Sequence, residues 1–325
     1  MKRVFSGIQP SGEAHLGNYA GALANWVRLQ EEYECFYCVV DYHAITQPYE
    51  VGELAGRTLD MATSVLAAGV DPEKATLFVQ SAVPEHTELT WLFNCVTPLG
   101  DLERMTQFKD KSQRNRKNIN AGLLDYPVLQ AADILLYKGE LVPVGEDQVQ
   151  HLELSREIAR KFNARYGDVF PEPAPILTGA KRILGLDGQA KMSKSLGNTL
   201  RMLADKDEIW DALRPAVTDT NRVRRDDPGE PNLCNVFTIH QSFTPEDKLE
   251  EIAAACRSAS IGCFDCKKIL AENLDAAMEP IRHRYAELRE NPDRVREILA
   301  AGALRCRGIA KEVLAEAREA MGFLS

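Results

Sequence analysis

Along the first ~200 residues, short apolar runs alternate with stretches in which apolar positions recur every three or four residues. "RVFSGI", "CFYCVVD" and "ATLFVQS" predict strands, and the nearly unbroken "CFYCVVD" reads as a buried one. "HLGNYAGALANWVRLQEE" predicts a helix, with Leu16, Tyr19, Leu23, Trp26 and Val27 close to helical spacing. "ELVPVGEDQVQHLELSREIARKF" predicts a strand running straight into a helix. Thr106 to Gly122 is polar, basic and poorly periodic, the pattern of a long functional loop. Strands alternating with helices predict an α/β domain with a parallel sheet. Beyond residue 200 the strand signals fade. "TPEDKLEEIAAAC" opens a helix, with Thr244 as N-cap, Pro245 at the first helical position and Asp247 in the first turn. Helical periodicity continues to the C-terminal end, broken at Asn291-Pro292. The expected division is an α/β domain over 1–200 and a helical bundle over 201–325.

The chain of 325 residues is 45% hydrophobic and 27% charged, ordinary for a soluble globular protein. No apolar run follows the basic residues of "MKRVFSGIQP", so no signal peptide is expected. No stretch reaches the ~20 apolar residues of a membrane span, and "YPVLQAADILLY" is short and carries Asp133. The expected location is cytoplasmic. A net charge of −9 restricts nucleic-acid binding to local basic patches. One such patch sets Lys109, Lys111, Arg114, Arg116 and Lys117 against Asp110 alone, and another runs from Arg222 to Arg225. A basic run by itself is more often a solvated loop.

Eight cysteines in a reducing compartment point to metal binding or catalysis more than to disulfides. Cys35 and Cys38 fall in a predicted strand, where residues three apart face opposite ways, ~10 Å from each other. They are expected in the core, as are Cys95 and Cys306. Cys234, Cys256, Cys263 and Cys266 are spaced C-x21-C-x6-C-x2-C within the helical part. Cys256 is expected to end one helix and Cys266 to start the next, with Gly262 in the loop between. Four thiolates on such a loop suit tetrahedral zinc or a [4Fe–4S] cluster, and the spacing fits neither common zinc-finger form.

Two further segments carry candidate chemistry. The first strand runs into "SGIQPSGEAHLGNYAGAL", where Gly7, Gly12 and Gly17 permit close backbone approach beside a helix start suited to phosphate. His15 and Asn18 add polar side chains there. In "AKMSKSLGN", Lys191 and Lys194 flank Met192-Ser193, followed by Ser195. Two ammonium groups and two hydroxyls suit a polyphosphate leaving group.

"HLGN" followed much later by "KMSKS" resembles the paired signature of class I aminoacyl-tRNA synthetases, with His15 and Gly17 matching the first motif. "FSGIQPSG", "VDYHAIT", "ERMTQFKDKS", "AGLLDYP…AADILLY" and "VPVGEDQVQHLELSREIA" occur in the order found in bacterial tryptophanyl-tRNA synthetases, and "EAMG" resumes the likeness near the end. The chain is similar to that family.

The resemblance implies a Rossmann-like doubly wound parallel sheet followed by an α-helical anticodon-binding domain. It implies ATP on Gln9, Pro10, Ser11, Gly17 and Asn18, with His15 near the phosphates. Gly145, Glu146 and Asp147 would bind the nucleoside and Ile183 would pack on adenine. Lys111, Lys191 and Lys194 would contact the phosphates, with Met192, Ser193 and Ser195 completing the loop and Mg²⁺ sharing the charge. Asp133 would accept the indole N–H of L-tryptophan, and Phe5, Gly7, His43, Val142, Val144 and Gln148 would line that pocket. An indole N–H can only donate, so a carboxylate is a fitting partner. Gln130 stands where related sequences often have methionine, a departure that bears on the shape of the pocket. The implied reaction forms tryptophanyl-adenylate and pyrophosphate, then charges the 3′ end of tRNA(Trp), with the Lys109–Lys117 segment serving the acceptor end. A homodimer is implied. So is a four-cysteine iron–sulfur site of the kind found in some bacterial members, favoured here over zinc. Tyrosyl-tRNA synthetase and a catalytically inactive synthetase-like RNA-binding protein are the alternative readings. The intact "KMSKS", His15 and Asp133 argue against the second.

Overall fold

The computed structural model describes residues 1–109, 119–145, 148–177, 183–190, 192 and 196–324. Five strands form one sheet: β1 (Arg3–Ile8), β2 (Glu34–Val39), β3 (Ala75–Val79), β4 (Leu141–Val144) and β5 (Ala174–Leu177). Their order is β3-β2-β1-β4-β5, and every pairing is parallel. Chain order reverses at the β1–β4 pair, leaving a crevice beyond the carboxyl ends of those two strands.

Helices pack on both faces. They are α1 (Leu16–Asn18), α2 (Ala24–Leu29), α3 (Asp41–Ala44), α4 (Leu54–Ala67), α5 (Glu85–Asn94), α6 (Leu99–Glu103), α7 (Ala121–Leu135) and α8 (Val149–Tyr166) in the first part. In the second part they are α9 (Lys206–Leu213), α10 (Asn235–Phe243), α11 (Glu246–Arg257), α12 (Cys263–Glu290) and α13 (Pro292–Ala320). A π turn at Tyr19–Leu23 joins α1 to α2, so the expected single helix is locally underwound, bulging by one residue's worth of chain.

Strand periodicity sorts side chains onto two cores. Val4 and Ile8 of β1 join Cys35, Tyr37 and Val39 of β2 in one core. Phe5 joins Phe36, Cys38, Phe78, Val142 and Val144 in the other. The opposite facing of Cys35 and Cys38 is therefore as expected, and Cys306 is also buried. Cys95 is exposed instead, because it caps the end of α5 and leaves that helix's buried face.

The C-terminal helices do not stand apart from the sheet. Leu270, Leu274 and Met278 of α12 belong to the first core, and Ala303, Cys306 and Val313 of α13 to the second. A Cβ on Gly302 would lie 2.0 Å from the Leu77 carbonyl oxygen, so only glycine lets α13 approach β3 this closely. Asn291 caps both long helices at the expected break. Other boundaries move. Thr244 ends α10 and Pro245 is the N-cap of α11, one residue later than expected. Positions 106–109 are helical and Asn120 caps α7 through the Leu123 amide, so the expected loop is shorter than its sequence pattern suggested. No described helix is long and apolar enough to cross a membrane.

Candidate active site

Of the expected nucleotide residues that are described, Gln9, Pro10 and Ser11 follow β1 and Gly145 follows β4, at the carboxyl ends of the two central strands. β1 ends at Ile8, and Gln9, Pro10 and Ser11 follow directly, with the Ser11 amide on the Gln9 carbonyl at 2.8 Å. Gly12 turns the chain with φ +97°. His15 and Asn18 cap α1 reciprocally: Asn18 N–H donates to His15 Nδ1 at 3.3 Å and His15 N–H to Asn18 Oδ1 at 3.0 Å. These two side chains thus shape the helix start. β4 ends at Val144, and Gly145 accepts the Gln148 amide at 2.9 Å just before α8.

The two signature segments meet. A Cβ on Gly17 would stand 3.4 Å from the Met192 Cβ and 3.0 Å from His15 Nδ1. Leu16 N–H donates to Leu200 O at 2.8 Å and Met202 N–H to Ala14 O at 3.0 Å, so chain beyond the lysine motif is stitched alongside the first motif. Ile183 and Met192 are buried in the same core as Leu16. Lys111, Glu146, Asp147, Lys191, Ser193, Lys194 and Ser195 lie outside the described residues.

Most of the expected tryptophan residues collect on the sheet face of the second core, while Gln148 stands at the N-cap of α8. Phe5, Val142 and Val144 share the second core, and Gly7 follows Phe5 on the same face of β1. A Cβ on Gly7 would press to 2.8 Å from a Val40 methyl. His43 sits on α3, immediately after β2. Asp133, on α7, is only 1% exposed. Its Oδ2 receives His43 Nε2 at 2.7 Å. Its Oδ1 receives Gln80 Nε2 and His86 Nδ1, each at 2.7 Å. Burial alone would raise this carboxyl's pKa. The charge and hydrogen bonds of His43, with those of His86, overcome that and hold it well below the usual carboxylate range. His86 Nε2 in turn lies 2.7 Å from the Tyr137 hydroxyl.

Gln80, His86 and Tyr137 were not singled out in the sequence. A glutamine closing the apolar run of β3 was the available signal. His86, in "PEHTEL", reads as a surface helix start. Tyr126 was also missed; its hydroxyl lies 2.9 Å from His151 Nε2 and its ring meets His43 edge-on at 6.2 Å.

The four cysteines come together as well. Cys234, Cys256, Cys263 and Cys266 line one cleft with Thr218, Asp219, Arg222 and Ile261, enclosing about 380 Å³ of atom-free space that includes open solvent. A Cβ on Gly229 would fall 2.5 Å from Cys256 Sγ. Cys263 and Cys266 both lie in the first turn of α12, with Gly262 as N-cap, rather than in a loop and a later helix start. Among the described residues no three His, Cys, Asp or Glu side chains are grouped so as to hold a metal ion. Two thiols have other neighbours: Cys266 Sγ lies 3.4 Å from His240 Nε2 and Cys263 Sγ 3.9 Å from Arg222. Burial, then the neighbouring cysteines, pushes the Cys266 thiol up to about 12.

A crevice at the sheet's reversal point, two signature segments in contact and a buried, ionised carboxylate define a class I nucleotide-dependent site. Residues 1–279 match the family model described as tRNA synthetases class I (W and Y). The tryptophan–tRNA ligase of Deinococcus radiodurans is 54% identical over 329 residues, spanning 100% of this chain and 99% of that one. The Thermotoga maritima tryptophan–tRNA ligase is 46% identical, with 99% of each chain covered. The crystal structure of tryptophanyl-tRNA synthetase from Campylobacter jejuni, complexed with ADP and tryptophan, superposes with a TM-score of 0.86 at 37% identity, covering 99% of this chain and 100% of that one. The chain belongs to the bacterial tryptophan–tRNA ligases.

Proposed function

We propose that the chain joins L-tryptophan to ATP, releasing pyrophosphate, and then passes tryptophan from the adenylate to the 3′ end of tRNA(Trp). The single observation that carries the substrate choice is Asp133. It is a buried carboxylate held ionised, and indole offers only a donor. A substrate without that donor would leave an acceptor unpaired in a dry site. Phe5, Gly7, His43, Val142, Val144 and Gln148 complete the pocket in this reading, and Gln130, half-buried on α7, adjusts its shape.

ATP is assigned to Gln9, Pro10, Ser11, Gly17 and Asn18 on one side and to Gly145, Glu146, Asp147 and Ile183 on the other. The tryptophan carboxylate attacks the α-phosphorus in line and pyrophosphate leaves, so no enzyme nucleophile is needed. His15, Lys111, Lys191 and Lys194 neutralise the developing charge, with Met192, Ser193 and Ser195 in the same loop. Mg²⁺ is best held by the ATP phosphates: the described side chains offer no three-ligand carboxylate or histidine cage, and this ion favours phosphate and water. When bound, it shares the charge of the leaving pyrophosphate.

The four cysteines are assigned to a [4Fe–4S] cluster in preference to zinc. Four soft donors face one cleft, beside a glycine where a side chain would collide with Cys256. The thiols must lose protons on loading, which burial, then the neighbouring cysteines, oppose at Cys266. Adenylate chemistry needs no redox step, so the role is structural, or helps shape tRNA recognition. The functional division at residue 200, anticodon contact by the helical part, the acceptor-end role of Lys109–Lys117 and a cytoplasmic location follow from the same reading. A homodimer is supported by the exposed apolar surface of Trp91 on α5 and Leu99 on α6.

Charging of tRNA(Trp) with labelled tryptophan, in the presence of ATP and Mg²⁺, tests the assignment. Tryptophanyl-tRNA is expected. Adenylate formation without charging would confine the activity to the first half-reaction, and charging with tyrosine would overturn the substrate.

A further inference from the structure

We propose that His86 and Gln80 are positioning residues that fix Asp133 for discrimination by the indole N–H. The inference rests on reading Asp133 as the indole acceptor. A carboxylate offers about four acceptor positions. Among the described residues Gln80 and His86 take two at Oδ1 and His43 takes one at Oδ2. Oδ1 is therefore filled, and the remaining position belongs to Oδ2.

The donors are themselves fixed. Gln80 and His86 are both 0% exposed. The Gln80 amide oxygen accepts the Tyr42 N–H at 3.1 Å, which decides which end of that side chain reaches Asp133. An ionised carboxylate can only accept, so His86 Nδ1 carries a proton, and Nε2 on the far side of the ring pairs with the Tyr137 hydroxyl. The Tyr137 ring cannot swing, because Phe5 and Phe36 stack on it at 5.8 and 5.2 Å and Phe78 meets it edge-on at 5.5 Å. Cys306 of α13 is buried in the same core as this ring. The direction of Oδ2 is thus set by side chains from the end of β3, from α5 and from Tyr137 just after α7.

The test compares kcat/KM in ATP–pyrophosphate exchange for tryptophan and for benzothienylalanine, in which sulfur replaces the indole N–H. The wild-type ratio is expected at ~10⁴. Asn at a histidine position places its amide where Nδ1 was, and Gln places it where Nε2 was. His86→Asn should keep the ratio within about threefold, while His86→Gln should lower it by about thirtyfold or more. No loss in either variant, or equal loss in both, overturns the proposal. Gln80→Met, which removes one donor from Oδ1, gives the same readout should a His86 variant not fold: about a tenfold lower ratio is expected and an unchanged ratio overturns the proposal. Asp133→Asn separates the two levels. If it leaves the ratio high, the reading of Asp133 as indole acceptor fails. If it abolishes the ratio while His86→Gln and Gln80→Met do not, only the positioning proposal fails.

Discussion

The Asp133 centre and the four-cysteine cleft both gather chemically able side chains, and they differ in how far the protein alone satisfies them. Around Asp133 both carboxylate oxygens have donors at 2.7 Å, and the donors have partners of their own. In the cleft the soft donors have no shared partner, and burial holds Cys234, Cys256 and Cys266 protonated. One site is preorganised by folding, as transition-state and substrate selection require. The other would be completed by the cluster proposed for it.

The largest effect is expected at the complete site. Asp133→Ala should lower kcat/KM for tryptophan by about 10³-fold or more in pyrophosphate exchange, since it leaves two histidines and a glutamine aimed at nothing. A loss under tenfold would break the comparison. Lys194→Ala should slow adenylate formation by about 10²-fold, with tryptophan binding measured by fluorescence changed far less; equal losses in both would remove the phosphate role.

Gly302→Val sharpens the contrast through stability. α13 touches β3 there, so overpacking should cost about 3 kcal/mol in a urea titration. Cys266→Ser should leave tryptophan exchange within about threefold while lowering the melting temperature by a few degrees. A large loss of exchange would mean that the cleft supports the chemistry directly.

The smallest effect is in acid. The folded pKa of Asp133 lies below that of an unfolded aspartate, so its contribution is full above about pH 4 and is lost as pH falls below that. The wild type should lose stability more steeply than Asp133→Asn between about pH 4 and pH 3. Parallel curves would show that the carboxylate is not specially stabilised.

Much of this was legible in the chain because it is local. The apolar run of β2 announced a strand, and its period sent Cys35 and Cys38 to opposite cores. The glycines after β1 and the lysine motif pointed to phosphate, and the nucleotide residues followed from the family resemblance those segments carry. What could not be read was long-range. His86 lies 47 residues and Gln80 53 residues from Asp133, and only the packing of α5 and β3 on α7 brings them there. The start of α12 was misplaced because "GCFDC" reads as a polar loop, whereas Gly262 at the N-cap and Asp265 in the first turn open a helix. The approach of α13 to the sheet depended on one glycine whose meaning appears only beside Leu77.

The most direct measurement is amino-acid-dependent ATP–pyrophosphate exchange with tryptophan and with tyrosine, side by side. The proposal that the buried Asp133 carboxylate accepts the indole N–H predicts rapid exchange with tryptophan and none above background with tyrosine. Rapid exchange with tyrosine and none with tryptophan would contradict it.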